Sequence, residues 1–109
     1  MQRDAMLKQL GYVPNEALLE QMGRIIDNTT EYSKIEKHII DLSDVLKVDK
    51  SYIAMSNSED YLKIKIEAEG DAMIADANQK VEHFSDKFKV ALKKVGSKNN
   101  TYYILGFDK

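Results

Sequence analysis

Apolar residues recur along the chain at two intervals, and the interval changes near residue 51. Before that point the spacing is helical. Residues 1–10 read as a short amphipathic helix or N-terminal arm, with Met6, Leu7 and Leu10 on one side. Gly11 stops it, and Pro14-Asn15-Glu16 starts the next segment. A helix over residues 15–27 follows, carrying Leu18, Met22 and Ile25 at steps of four and three. A second, over residues 30–47, carries Tyr32, Ile35, Ile39, Leu42 and Leu46 at alternating steps of three and four. Asn28 and Glu31 have the separation of a capping box, which predicts a break between the two. One long helix bent near Thr29 would also join the stripes. A helical hairpin is the expectation, because two short helices can bury their stripes against each other.

After residue 51 the period becomes two. Residues 52–55 and 61–69 form a strand pair around the turn Ser56-Asn57-Ser58-Glu59-Asp60. In the second strand Leu62, Ile64, Ile66 and Ala68 face a core, while Tyr61, Lys63, Lys65, Glu67 and Glu69 face outward. Gly70-Asp71 breaks that strand, and Asp71 is placed as the N-cap of a long helix over residues 71–95. Its stripe is Ile74, Ala77, Val81, Phe84, Phe88, Ala91 and Val95, with Gly96 as the stop. A final strand, residues 101–107, follows the polar turn Ser97-Lys98-Asn99-Asn100.

The expected fold is therefore α+β, in the order α-α-β-β-α-β. A helical hairpin precedes a β-hairpin, a long helix and a last strand, with a small three-stranded mixed or antiparallel sheet packed on helices. Residues 15–109 make one domain and residues 1–14 an arm or short helix. The order is similar to the ferredoxin-like split βαβ layout without its first strand, a likeness of element order that carries no function. In this arrangement the last strand lies at a sheet edge, beside the second strand in parallel or beside the first in antiparallel sense. Edge strands are usually guarded by lysine, proline or an inward charge. Residues 102–107 have none, and alternation puts Tyr102 and Ile104 on one face and Tyr103, Leu105 and Phe107 on the other. Such an edge calls for a cover, either the N-terminal arm or the same strand of a second copy.

Composition narrows the chemistry. The 109 residues include no cysteine, two histidines and one proline, with 43% apolar and 31% charged residues. That excludes disulfide frameworks, zinc fingers and thiol nucleophiles. Arg3, Asp4 and Lys8 interrupt any apolar signal core, and no apolar run exceeds four residues, so a cytoplasmic, non-membrane protein is expected.

Neither histidine has the neighbours of a catalytic base. His38 stands between Lys34 and Asp41, with no hydroxyl within a turn on its own face. His83 shares a face with Asp76, Gln79 and Asp86, but Lys80 and Lys87 flank it and would repel a cation. No Gly-x-Ser-x-Gly elbow or phosphate loop occurs, and the acids around Gly70 oppose an anion. The chain reads as a non-enzyme without cofactor or metal.

Charge is unevenly spread. Six bases face nine acids in residues 1–49 and three face six in residues 50–79, whereas seven face three in residues 80–109. Lys87, Lys89, Lys93, Lys94 and Lys98 gather toward the end of the long helix and its turn. Two readings follow. The first is a protein-interaction domain that self-associates through Tyr103, Leu105 and Phe107 or through the helical stripe of Leu18, Met22 and Ile25, giving a homodimer. The second is a single-stranded nucleic-acid module, in which Tyr52, Tyr61, Lys63, Lys65 and Tyr102 form a sheet face beside the basic cluster Lys93, Lys94 and Lys98.

Overall fold

The computed structural model describes residues 3–95 and 100–108. Helices α1 (Arg3–Gln9), α2 (Glu16–Asn28) and α3 (Tyr32–Leu46) come first, and α3 runs into a 3-10 turn, Lys47–Asp49. Strands β1 (Tyr52–Met55) and β2 (Leu62–Lys65), helix α4 (Asp71–Phe88), and strands β3 (Val90–Lys94) and β4 (Thr101–Phe107) complete the chain. All pairings between strands are antiparallel, in the order β1-β2-β4-β3. The α+β class and the element order stand as expected, with four strands instead of three. Topologically the second part of the chain is a helix and hairpin used twice, α3-β1-β2 and α4-β3-β4, joined where β2 meets β4. No helix among the described residues is long and apolar enough to cross a membrane.

The fourth strand arises because the long helix stops early. Its apolar steps continue through Ala91 and Val95, yet α4 ends at Phe88. Lys89 takes a left-handed conformation (φ 55°), its amide donates to the Ser85 carbonyl, and the Ser85 hydroxyl donates to the carbonyl of Val90 at 2.7 Å. Those bonds turn the chain back along the sheet. Val90 and Leu92 then serve as alternate inward residues of a strand, Val90 buried and Leu92 half-buried. A short apolar run is readable with either period, and the tertiary setting selects the strand. The expected helix terminator Gly96 lies outside the described residues.

This corrects the position of the last strand. Because β3 reverses the chain, β4 enters the sheet antiparallel to β2 and lies between β2 and β3, not at an edge. The ferredoxin-like layout, with its parallel crossover, does not apply. The real edges are β1 and β3. On β1 the Tyr12 hydroxyl accepts from the Met55 amide at 3.0 Å, and β3 carries Lys93 and Lys94, in keeping with guarded edges.

The helical break also forms differently from the capping box. Glu31, at the N-cap of α3, is left-handed (φ 47°) and makes no cap bond with its side chain. Asn28 donates instead to the carbonyl of Asp60 at 3.0 Å. The two helices remain separate, but α2 packs chiefly on α1, while α3 packs on α4 and the sheet. Met6 and Leu7 of α1 are fully buried alongside Met22 and Ile25 of α2. Asp71 is the first residue of α4, and Gly70 (φ 81°) is its N-cap.

Thr30, between α2 and α3, joins the helical layer to the sheet. Its amide donates to the Leu105 carbonyl at 3.2 Å and its carbonyl accepts from Phe107 at 2.8 Å, so it pairs in parallel with Gly106. It thereby continues the β2 side of β4 beyond Leu62, whose partner is Ile104. On the β3 side the register slips, since Ala91 faces Gly106 while Leu92 faces Ile104. The bulge at Leu105 rotates the strand, and Phe107 lands opposite buried Val90, packed on the core with Tyr102 and Ile104.

One ion cluster ties the two halves together. The Lys80 ammonium meets Asp49 at 2.9 Å, Asp76 at 3.0 Å and the Val45 carbonyl at 3.4 Å, and Asp49 is buried. The hydrogen bond from Lys80, with Asp49 next in importance, holds Asp76 below the usual carboxylate range. Bonds to Asp49 and then Asp76 hold Lys80 above the ordinary lysine value. A lowered carboxylate stabilises the fold above its unfolded pKa and loses that contribution as pH falls through its folded value. The raised lysine contributes below its unfolded pKa and is lost as pH rises through the folded one. Asp76→Asn is therefore expected to flatten the acid limb of the urea-midpoint-against-pH curve, with its alkaline limb largely kept by Asp49.

Gly106 has φ 140°, and a Cβ there would sit 2.4 Å from the Thr30 amide nitrogen. Gly106→Ala is expected to cost about 2–3 kcal/mol in urea denaturation, because both strain and the loss of the Thr30 bridge act together. Val13→Ala, at a residue 84% exposed, should stay within about 0.5 kcal/mol of the parent chain.

Candidate functional site

Residues directly opposite in an antiparallel sheet share a face, so the registers place the side chains. Ile53, Met55, Leu62, Ile64 and Ile104 are buried beneath the helices. The opposite face reads in two cross-strand rows. Tyr52, Lys65 and Thr101 make one. Ala54, Lys63, Tyr103 and Lys93 make the other, spanning all four strands. No residue in either row is buried, so helices cover only one side of the sheet.

Aromatic rings extend the longer row. Tyr61, just before β2, sets its ring 5.7 Å from that of Tyr103 at an interplanar angle of 30°. The Tyr103 hydroxyl lies 3.4 Å from Ser56 Oγ and 2.9 Å from Ser58 Oγ in the β1–β2 turn. Those hydroxyls, Ser56 first and Ser58 second, lower the Tyr103 phenol below its ordinary pKa. Tyr52 differs. Its hydroxyl lies 3.5 Å from a Glu67 carboxylate oxygen, and partial burial followed by the Glu67 charge raises its pKa.

The lysines of this face are uncommitted. Lys63, Lys65 and Lys93 make no ion pair among the described residues, and Lys65 only reaches the Thr101 hydroxyl at 3.4 Å. Acids stand at the ends: Glu67 beside Tyr52, and Glu59 near Tyr103. The centre therefore offers cationic and aromatic groups side by side. Among the described residues, no group of three or more His, Asp or Glu side chains is gathered to hold a metal ion.

Of the residues expected to touch nucleic acid, Tyr52, Tyr61, Lys63, Lys65 and Lys93 come together on this face. Tyr102 does not. It pairs with Ile64 on the helix side, and its hydroxyl donates to Asn78 Oδ1 on α4 at 2.7 Å. Lys94 follows it, with its ammonium 5.8 Å from the Tyr102 ring centre. Alternation along β3 thus splits the expected basic cluster between two faces, and Lys87 sits by Phe88 on α4. Lys98 lies outside the described residues.

The expected self-association residues are redistributed as well. Tyr103 and Leu105 stay half-exposed, but Phe107 packs on the core with the Lys34 ammonium 5.0 Å from its ring. Met22 and Ile25 are fully buried, and Leu18 is half-buried against the same core. Sequence reading missed Lys93 as a member of the sheet face, because it was assigned to a helix. It also missed Ser56 and Ser58, whose turn composition gave no sign of a bond to Tyr103.

No known protein family, curated protein or solved structure matches this chain. The site must be read from its own chemistry. Ser58→Ala is expected to raise the titration midpoint of Tyr103, followed by phenolate absorbance, and Ser56→Ala with Ser58→Ala to raise it further.

Proposed function

We propose that the chain is a non-enzymatic binding module for single-stranded nucleic acid, acting through the open sheet face. One observation carries the reading: the row Lys63, Tyr103 and Lys93 crosses neighbouring strands, with the Tyr61 ring beside Tyr103. Stacking needs an exposed aromatic face, and phosphates need cations free of internal partners. Both are supplied within adjacent strands, which lie about 4.8 Å apart. The overall charge of −2 does not oppose this, because Glu59 and Glu67 stand at the ends of the face and Lys63, Lys65 and Lys93 make no ion pair among the described residues. The cysteine-free composition fits a cytoplasmic setting for such a partner.

Self-association through the same face is the competing use, supported by the half-exposed Tyr103 and Leu105. The final strand is internal, so such a dimer would stack sheet on sheet and would not extend one.

Anisotropy titrations with short labelled single-stranded RNA and DNA, paired with sedimentation at the same concentrations, separate the two. Binding is expected at about 50 mM salt, with a log–log salt slope near −2 for three lysine–phosphate contacts. Tyr103→Ala should weaken it by about tenfold or more, in line with the loss of one stacked base. No binding at low salt overturns the proposal. A dimer that Leu105→Lys dissociates, in a chain that ignores oligonucleotides, assigns the face to self-association.

A further inference from the structure

Both histidines of the chain come to one groove in the helical layer, a space of about 280 Å³ between α3 and α4. The helices run in opposite directions, so His38 meets Phe88 at one end while Val45 meets Lys80 at the other. The imidazole of His38 lies flat on the Phe88 ring, centroids 3.6 Å apart and planes 10° apart. Phe84 meets Phe88 edge-on at 6.1 Å. The wall is therefore aromatic. Val45, 45% exposed, extends the apolar surface toward solvent. His38 is accordingly half-buried against Phe88 and not freely solvated.

Charge at the groove is lopsided. The Lys80 ammonium is already taken up by Asp49 and Asp76. Asp41 also lines the groove, is exposed, and has no ion pair or side-chain hydrogen bond among the described residues. Lys87 holds its ammonium 5.4 Å from the Phe88 ring centre without lining the groove. Among the lining residues Asp41 is the charge left unanswered, which suits a ligand that carries both an aromatic ring and a cation. The ring gains offset or edge contact with Phe84 and Phe88, and the cation gains a charge-assisted bond. An aromatic anion of the same size would gain the first and be repelled by the second. Apolar pockets with a few placed polar groups are the usual form of small-molecule sites.

We infer that the α3–α4 groove binds a small aromatic amine, with its ring against Phe84 and Phe88 and its ammonium at Asp41. The inference does not rest on the nucleic-acid reading, since the groove shares no residue with the open sheet face. A ligand of about a dozen non-hydrogen atoms at such a shallow site should bind with a Kd on the order of a millimolar.

The test is an NMR titration of the full chain, following the imidazole carbon-bound protons of His38 and His83. Tryptamine is the cationic probe and indole-3-propionate the anionic one of similar shape. Tryptamine should shift both histidines saturably, and the anion should bind about threefold or more weakly, as expected for one exposed charge pair. Asp41→Asn, an exposed substitution that leaves the core intact, should abolish the preference while retaining ring-dependent shifts. The inference is overturned by equal affinity for the two probes, by a preference that survives Asp41→Asn, or by the absence of saturable shifts at either histidine.

Discussion

Strand β4 is paired on both sides, and most of the molecule is arranged around that fact. On one flank it meets β2 over Thr101–Ile104 and then Thr30 at Gly106; on the other it meets β3. A strand in that position cannot leave the sheet without breaking two ladders, and its inward residue Ile104 is fully buried. The close approach of Thr30 requires glycine at 106, since any Cβ would collide with backbone. The α2–α3 junction is thus pinned to the sheet, which fixes where both helices begin and end. The Lys80 cluster does the same at the far end, tying α4 to the segment that follows α3.

With β4 internal and all helices on one side, the sheet has two unlike faces. The covered face holds the aliphatic core, and Tyr102 is bonded to Asn78 within it. The other face presents tyrosines and lysines, half-exposed or exposed, in register across the strands. Tyrosine on such a face offers a large, stiff ring at small entropic cost, and lysine offers charge without a fixed geometry. The serine hydroxyls on Tyr103 add orientation. A surface of this kind suits a polymer of bases and phosphates, whose recognition depends on stacking and charge more than on shape.

The helical layer offers a contrasting surface. Between α3 and α4 the side chains are aromatic and the unanswered charge is negative, at Asp41. The two surfaces differ in sign and in chemistry, which argues for different ligands on each. The unequal charge along the chain foreshadows this difference only in part, because alternation in β3 sends Lys93 and Lys94 to opposite faces.

Much of this was legible in the residues alone. The stripes Leu18–Met22–Ile25 and Tyr32–Ile35–Ile39–Leu42–Leu46 define their helices, and the strict alternation in 62–68 defines the inward side of β2. Those patterns are local, set by burial of one face of one element, and local periodicity records them. The end of α4 is a different matter. Ala91 and Val95 keep helical spacing, so only the docking of Val90 and Leu92 on the sheet decides that the chain turns at Lys89. From that turn follow the fourth strand, the reversal of β4 and its interior position. The bulge at Leu105, which moves Phe107 to the core, and the meeting of His38 with Phe88 are decided in the same way. The sequence determined which side of α2, α3 and β2 is apolar. Tertiary packing decided which apolar sides meet, because partners far apart in the chain leave no periodic trace in it.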